Sequence, residues 1–355
     1  MKYIIIGGVA GGATAAARLR RVDEKSDILL LEKGKYISYA NCGLPYYIGG
    51  VIDEREKLLV QTPASFGQRF RVDVRVENEV IAIHPQNKTI TVRTVDGGEY
   101  EETYDKLLLS PGATPVRPPL EGIDSEGIFT LRNVEDTDRI KSYLTEHAVK
   151  RAVVVGAGFI GLEMAENLHD LGIQVDVVEM ANQVMAPLDF SMAAIVHRQL
   201  TDKGVGLHLE DGVSRFEEKD GGVTVHLRSG KQIATDMVLL SIGVRPETKL
   251  AKDAGLAIGE RGGIAVNDYM QTSDADIYAL GDAVEVRHLV TGQPALIPLA
   301  GPANKQGRIV ADNIVFGNKE KYPGSIGTSI AKVFDLTVAA AGANAKLLQR
   351  NNIPY

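Results

Sequence analysis

The sequence predicts an α/β protein built from two three-layer domains with parallel sheets, and three observations carry that expectation. A short apolar strand, a glycine-rich turn, a helix and a second apolar strand open the chain, and the same order recurs from Ala152 onward. In both copies the second strand ends on a glutamate, Glu32 and Glu179. Behind each copy lies a stretch of short alternating strands separated by turn residues. Strand, turn, helix and parallel strand make a right-handed βαβ unit, so two copies predict two Rossmann-like domains.

Taken in order, Lys2–Ile6 is the first strand and residues 13–21 the first helix, with Gly7-Gly8-Val9-Ala10-Gly11-Gly12 between them. Residues 27–31 read as a second buried parallel strand. Thr62-Pro63 opens a short helix, the hydroxyl capping it and proline taking the first helical position. Segments 80–83, 89–92 and 104–109 predict a small antiparallel meander. The second copy runs from a strand at 152–155 through Gly156-Ala157-Gly158-Phe159-Ile160-Gly161 to a helix at 162–171 and the strand Gln174–Val178. Segment 223–227, a Ser229-Gly230 turn and segment 237–241 predict a second meander. Proline-rich 114–119 reads as a linker and 243–246 as the return. Residues 328–340 are extended and 344–350 helical, too little for a core of their own. The expectation is the start of a further α+β domain, cut short.

Composition narrows the chemistry. A net charge of −7 gives no basic footprint for nucleic acid. No apolar run nears the roughly 18 residues that span a bilayer, and no cleavage pattern follows the N-terminal strand, so a cytoplasmic protein with no membrane contact is expected. The seven histidines lack ligand-like spacing and no metal is expected. Cys42 is the one cysteine, so any disulfide chemistry must borrow a thiol from a small molecule or another chain.

In a dinucleotide fingerprint the first glycine makes the tight turn, the second admits the pyrophosphate and the third lets helix and strand pack closely. Gly7 and Gly12 fill the outer positions of the first turn, with Gly8, Val9, Ala10 and Gly11 between them and Val9 in the middle position. Glu32 stands where a carboxylate takes the hydroxyls of an adenosine ribose. Gly156, Gly158 and Gly161 satisfy the second fingerprint in full. Glu179 there accepts from a 2′-hydroxyl and repels a 2′-phosphate, so NADH is expected over NADPH.

Two further segments specify more. Residues 107–109 run into Ser110-Pro111-Gly112-Ala113, and 272–280 run through a buried strand to Gly281-Asp282. With these the sequence resembles the pyridine nucleotide-disulfide oxidoreductase superfamily over essentially its whole length. The resemblance implies an FAD domain in two parts, 1–114 and 248–325, interrupted by an NAD(P) domain at 115–247, with 326–355 beginning a C-terminal dimerisation domain. It places Asp282 on the ribityl chain of FAD and the backbone of Ala300 near the isoalloxazine. It also implies flavin contacts at Ser110, Pro111, Gly112, Ala113 and Arg132, and at Lys33, Asn41, Val80 and Gly281. Ile160, Glu163 and Gly243 would line the NAD site. For Arg132 an ordinary surface ion pair is the plain alternative.

Cys42 lies in Ser38-Tyr39-Ala40-Asn41-Cys42-Gly43-Leu44-Pro45-Tyr46. Gly43-Leu44-Pro45 is expected to begin a helix whose N-terminus faces the sulfur and lowers its pKa; an inert buried cysteine is the alternative. The block resembles the single-cysteine branch of the superfamily, which holds NADH peroxidases, NADH oxidases, coenzyme A-disulfide reductases and persulfide reductases, and within it the coenzyme A-disulfide group most. Peroxidases and oxidases of the branch carry His where this chain has Ala10. By the same resemblance Thr14, Arg18, Arg21, Ser38, Asn41 and Asn304 fall at coenzyme A positions. Arg18 and Arg21 share a helix face, which fits phosphates as well as plain solvent. The implied function is FAD-dependent, NAD(P)H-driven reduction of coenzyme A disulfide or persulfide by a homodimer, with Cys42 forming a mixed disulfide with coenzyme A. The alternative is an NADH oxidase or peroxidase cycling Cys42 through sulfenic acid.

Overall fold

The computed structural model describes residues 1–219 and 221–355. Its contacts gather into two compact units: Met1–Tyr39, Leu59–Thr114 and Arg245–Gly327 form the first, and Ala40–Leu58, Pro115–Val244 and Thr328–Tyr355 the second. In chain order the helices are α1 (Ala10–Val22), α2 (Leu44–Ile48), α3 (Pro63–Phe70), α4 (Val134–Glu146), α5 (Phe159–Asp170), α6 (Phe190–Asp202), α7 (Lys249–Asp253), α8 (Ala300–Phe316) and α9 (Ala345–Arg350). No helix among the described residues is long and apolar enough to cross a membrane.

The first unit is built on a five-stranded parallel sheet in the order Ile277–Ala279, Lys106–Leu109, Lys2–Ile6, Asp27–Glu32, Asp73–Val76. Lys2–Ile6 is central, Ile4 pairing with Leu29 on one side and Leu107 on the other. Both faces of such a strand are covered, so it reads as a continuous apolar run. Ile4, Ile5 and Leu30 are fully enclosed, and each such side chain stabilises the fold by about 2 kcal/mol. Helices α1 and α8 pack closely: a Cβ on Gly307 would stand 2.6 Å from Gly11 O. Thr62 caps α3 as expected, its Oγ1 accepting the Ser65 N–H at 3.1 Å.

The second unit repeats the plan with the order Gly206–His208, Gln174–Val178, Arg151–Val155, Met237–Leu240, Ile128–Thr130. Both meanders exist, but their last strands differ from expectation, and the second begins with an unexpected strand, Val213–Lys219. Glu99–Thr103 and Gln232–Thr235 complete the antiparallel sheets, whereas Lys106–Leu109 and Met237–Leu240 join the parallel ones. Leu107, Leu108 and Leu109 are all buried, as are Met237, Val238, Leu239 and Leu240. Consecutive burial marks a strand covered on both faces, not the half-exposed alternation of a meander.

The chain around Cys42 is part of the second unit. Helix α2 packs on α4 and α5. Arg55 forks onto Asp138, with Nε 2.8 Å from Oδ1 and Nη2 2.6 Å from Oδ2. Lys141 Nζ donates to Tyr47 O at 2.9 Å and lies 3.7 Å from the Tyr47 ring centroid. Residues 328–355 belong to the same unit. Ser329–Val333 and Leu336–Ala340 form an antiparallel hairpin against α5 and α6. Glu166 receives the Phe334 N–H at 2.8 Å and pairs with Lys332. Asn344 caps α9 and donates to Ala186 O at 2.9 Å.

Candidate functional site

Each unit offers a glycine cradle at the carboxyl end of its central strand. In the first, Gly7 has φ +98°, and a Cβ there would stand 2.1 Å from Ser110 O; one on Gly12 would stand 1.9 Å from Gly7 O. Side chains at these two positions would force strand, turn and helix apart. Val9 caps α1 in the middle position. Glu32 closes the loop, Oε2 accepting the Gly8 N–H at 2.8 Å and Oε1 the Gly34 N–H at 2.9 Å.

The second cradle has the same design. Gly156 has φ +100° with Ser241 O 2.5 Å from its Cβ position, and Gly161 is as tightly held against Gly156 O. Gly158, which caps α5, has open space around its Cβ position. Glu179 accepts the Ala157 N–H at 2.9 Å and the Ala181 N–H at 2.8 Å. Closed glycine turns, long helices starting at them and a carboxylate at the strand end fit a dinucleotide on each unit. Ile160 and Gly243 are exposed beside the second cradle.

Around the first cradle the structure gathers Ser110, whose N–H donates to Ile6 O at 2.8 Å, and the turn Gly281–Ala283 bearing Asp282. Gly281 N donates to Gln306 Oε1 at 2.8 Å, and Ala300 opens α8. Ser38, with φ 47°, donates its N–H to Gly8 O at 3.0 Å. Lys33 is exposed and Val80 is buried in the core of this unit. Arg132 lies in the second unit, where its N–H donates to Asp136 Oδ2 at 2.9 Å.

The coenzyme A candidates on α1 are differently employed. Thr14 Oγ1 donates to Asn304 Oδ1 at 2.7 Å. Arg18 is bound bidentately to Asp312, and that hydrogen bonding raises its pKa further. Arg21 is exposed, its guanidinium 5.8 Å from the Phe70 ring centroid. The two arginines share a helix, but only Arg21 presents an open cationic face.

Cys42 is exposed and sits in the tight turn Asn41–Gly43, just ahead of α2. The expected lowering of its pKa does not occur. Helix α2 spans Leu44–Ile48, five residues, and provides little dipole. Protein packed around the sulfur pushes the thiol up, and the negative charge of Glu163 adds to that. Asn41 Oδ1 is buried without a hydrogen-bond partner, an acceptor that a donor on a bound molecule would satisfy.

Three groups around Glu163 carried no assigned role in the sequence: Tyr46, Glu166 and, paired with Glu166, Lys332. Tyr46 Oη donates to Glu163 Oε1 at 3.4 Å. Burial raises Glu163 to about 7, against the Tyr46 hydrogen bond, and Glu166 contributes a little more. Tyr46 is pushed up to about 12, by burial first and by Glu163 second. The three-residue spacing of Glu163 and Glu166 on a helix otherwise mostly apolar was the available signal.

Residues 1–307 match the family model described as pyridine nucleotide-disulphide oxidoreductase. The chain is 37% identical over 348 residues to the coenzyme A disulfide reductase of Staphylococcus haemolyticus, covering 98% of this chain and 78% of that protein. It is 38% identical over 355 residues to the NADH oxidase of Methanocaldococcus jannaschii, covering 100% of this chain and 79% of that one. Among solved structures, reduced Bacillus anthracis CoADR-RHD superposes with a TM-score of 0.97 at 55% identity, covering 99% of this chain and 63% of that one. The NAD-dependent persulfide reductase of A. fulgidus gives 0.96 at 41% identity, covering 99% and 66%. The chain thus spans a little under two-thirds of the length of these two structural relatives.

Proposed function

The chain belongs to the pyridine nucleotide-disulphide oxidoreductase family, and from that premise we propose that it is an FAD-dependent NAD(P)H oxidoreductase that reduces coenzyme A disulfide or coenzyme A persulfide through Cys42. The observation that carries this reading is a single exposed cysteine in a chain with two dinucleotide cradles. With no second thiol to close a disulfide, the oxidised partner is the substrate's own sulfur. Relatives named for coenzyme A disulfide and persulfide reduction support the choice of substrate.

On this reading FAD is held at the first cradle by Gly7 through Gly12, Glu32, Ser110 and Asp282, and NADH at the second by Gly156, Gly158, Gly161 and Glu179. When bound, the two cofactors supply an electron pair. The Cys42 thiolate attacks one sulfur of coenzyme A disulfide, forming a Cys42–coenzyme A disulfide and expelling the other half as a thiolate that takes up a proton. With a persulfide, hydrosulfide leaves instead. The electron pair then cleaves the mixed disulfide, restoring the Cys42 thiolate and releasing coenzyme A, protonated, as the thiol. Arg21 and Ser38 are assigned to the bound coenzyme A, and the Asn41 amide to the ligand at the sulfur. The reading carries with it a homodimer, as the resemblance implies, in the cytoplasm expected from the sequence.

A second reading, NADH oxidase with Cys42 cycling through sulfenic acid, is favoured by the Methanocaldococcus jannaschii relative. Ala10 weighs against it, because oxygen–oxygen cleavage gains from an acid–base group. Mass spectrometry of the intact purified protein decides. The proposal expects a reducible coenzyme A adduct on Cys42; one added oxygen with NADH-dependent oxygen consumption would support the oxidase instead.

A further inference from the structure

We infer that Glu163, linked to the redox segment through Tyr46, is a positioning residue that governs ionisation of Cys42, so that thiolate and carboxylate share one negative charge instead of carrying two. Cys42 and Tyr46 stand four residues apart, from the tight turn into α2. Tyr46 reaches across to Glu163 on α5 with a 3.4 Å hydrogen bond. Within the second unit this joins the thiol, a phenol and a largely enclosed carboxylate into one cluster.

The surroundings leave the pair to settle its own charge. Glu166, one turn along α5, pairs with Lys332 from the hairpin strand, so its charge adds only a little to the rise of Glu163. Lys141 of α4 is engaged with Tyr47, and Arg55 with Asp138. The parallel strands beneath α5 bring Arg151, exposed at a strand start, and Asp176, hydrogen-bonded to His208 at 2.7 Å. Farther along α5, His169 and Asp170 face each other at 3.5 Å. None of these groups offers Glu163 a counter-charge in the structure. The two shifts agree in sense: Glu163 is held near 7, and its charge helps raise Cys42. Interacting groups of this kind titrate as a pair.

Near neutral pH a protonated Glu163 permits the Cys42 thiolate. Forming the bond from Cys42 to the substrate sulfur removes the thiolate's charge. Glu163 can then release its proton, which balances the thiolate expelled from the disulfide. No further oxidant or reductant enters this step.

The inference rests on Cys42 being the nucleophile of the proposed reaction, but its test needs no substrate. The rate of Cys42 alkylation by iodoacetamide, followed by mass and by thiolate absorbance, is measured against pH on the reduced protein with its bound cofactors. The wild-type curve is expected to spread over more pH than a single proton allows. Glu163→Gln should give a one-proton curve with a lower midpoint and alkylation about three- to tenfold faster at about pH 8.5, where Glu163 of the wild type is ionised. Glu163→Asp, keeping a carboxylate, should restore the breadth. Tyr46→Phe removes a bond that favours the carboxylate and should move the Glu163 inflection upward; it serves as the second variant if Glu163→Gln does not fold. Curves for Glu163→Gln or Tyr46→Phe that superpose on wild type overturn the inference. Disulfide turnover persisting in Cys42→Ser would defeat the functional reading and leave these curves unaffected.

Discussion

Arg18 forks onto Asp312, Nε to Oδ1 at 2.8 Å and Nη2 to Oδ2 at 3.0 Å, and so ties α1 to α8 within the first unit. One of the two arginines expected to meet phosphate is therefore already committed inside the fold. Arg21→Glu should raise KM for coenzyme A disulfide far more than for a small neutral disulfide. Arg18→Ala should cost about 0.5–1 kcal/mol of stability, as a partly exposed ion pair does, and leave the ratio of the two KM values near wild type. Steady-state kinetics on both substrates with a thermal melt separate the roles; equal effects of Arg21→Glu on the two substrates would remove its phosphate contact.

The Glu179 carboxylate accepts the Ala157 and Ala181 amides, and on the proposed reading it faces the 2′-position of the bound nucleotide. Parallel titrations should give a higher kcat/KM for NADH than for NADPH. Glu179→Ala should narrow that ratio by about tenfold or more, on the scale of one lost charge repulsion. A wild-type preference for NADPH would show that the carboxylate has been given the wrong role.

Glu166 is 2% exposed and accepts the Phe334 N–H. Glu166→Ala strands that buried donor and should cost about 1–3 kcal/mol, seen as a lower midpoint in denaturant. Lys332→Ala should cost less, since its side chain is exposed and the Phe334 contact survives. An unchanged midpoint for Glu166→Ala would mean that the hairpin does not depend on this carboxylate.

Glu163 also sets a pH dependence of stability. Its value in the fold is about 7 against an ordinary 4.5, so as pH rises the unfolded chain loses this proton first. Stability should fall with rising pH between these two values and level off above. Glu163→Gln should flatten that part of the profile and exceed wild type at pH 8. Melting curves across the range check this; parallel profiles for the two proteins would contradict it.

Much of this was legible in sequence because glycine at a tight turn and glutamate at a strand end are local requirements. Gly7, Gly156 and the two closing glutamates fall where the spacing put them. The strands at 106–109 and 237–240 were misassigned because a short apolar run beside a meander looks like its continuation until burial on both faces is seen. What sequence could not show depends on distant partners. Arg18 meets Asp312 across 294 positions, and Tyr46 meets Glu163 across 117. The start of a helix after Cys42 was visible, but its shortness and the carboxylate that offsets it were not. Nor does sequence order reveal that the Cys42 segment packs in the second unit.

On the proposed mechanism Cys42 alone receives the substrate's sulfur. The direct test is rapid mixing of Cys42→Ser with NADH and coenzyme A disulfide, recording flavin absorbance and thiol release together. NADH should still bleach the flavin while no coenzyme A thiol appears. Thiol release at the wild-type rate would contradict it.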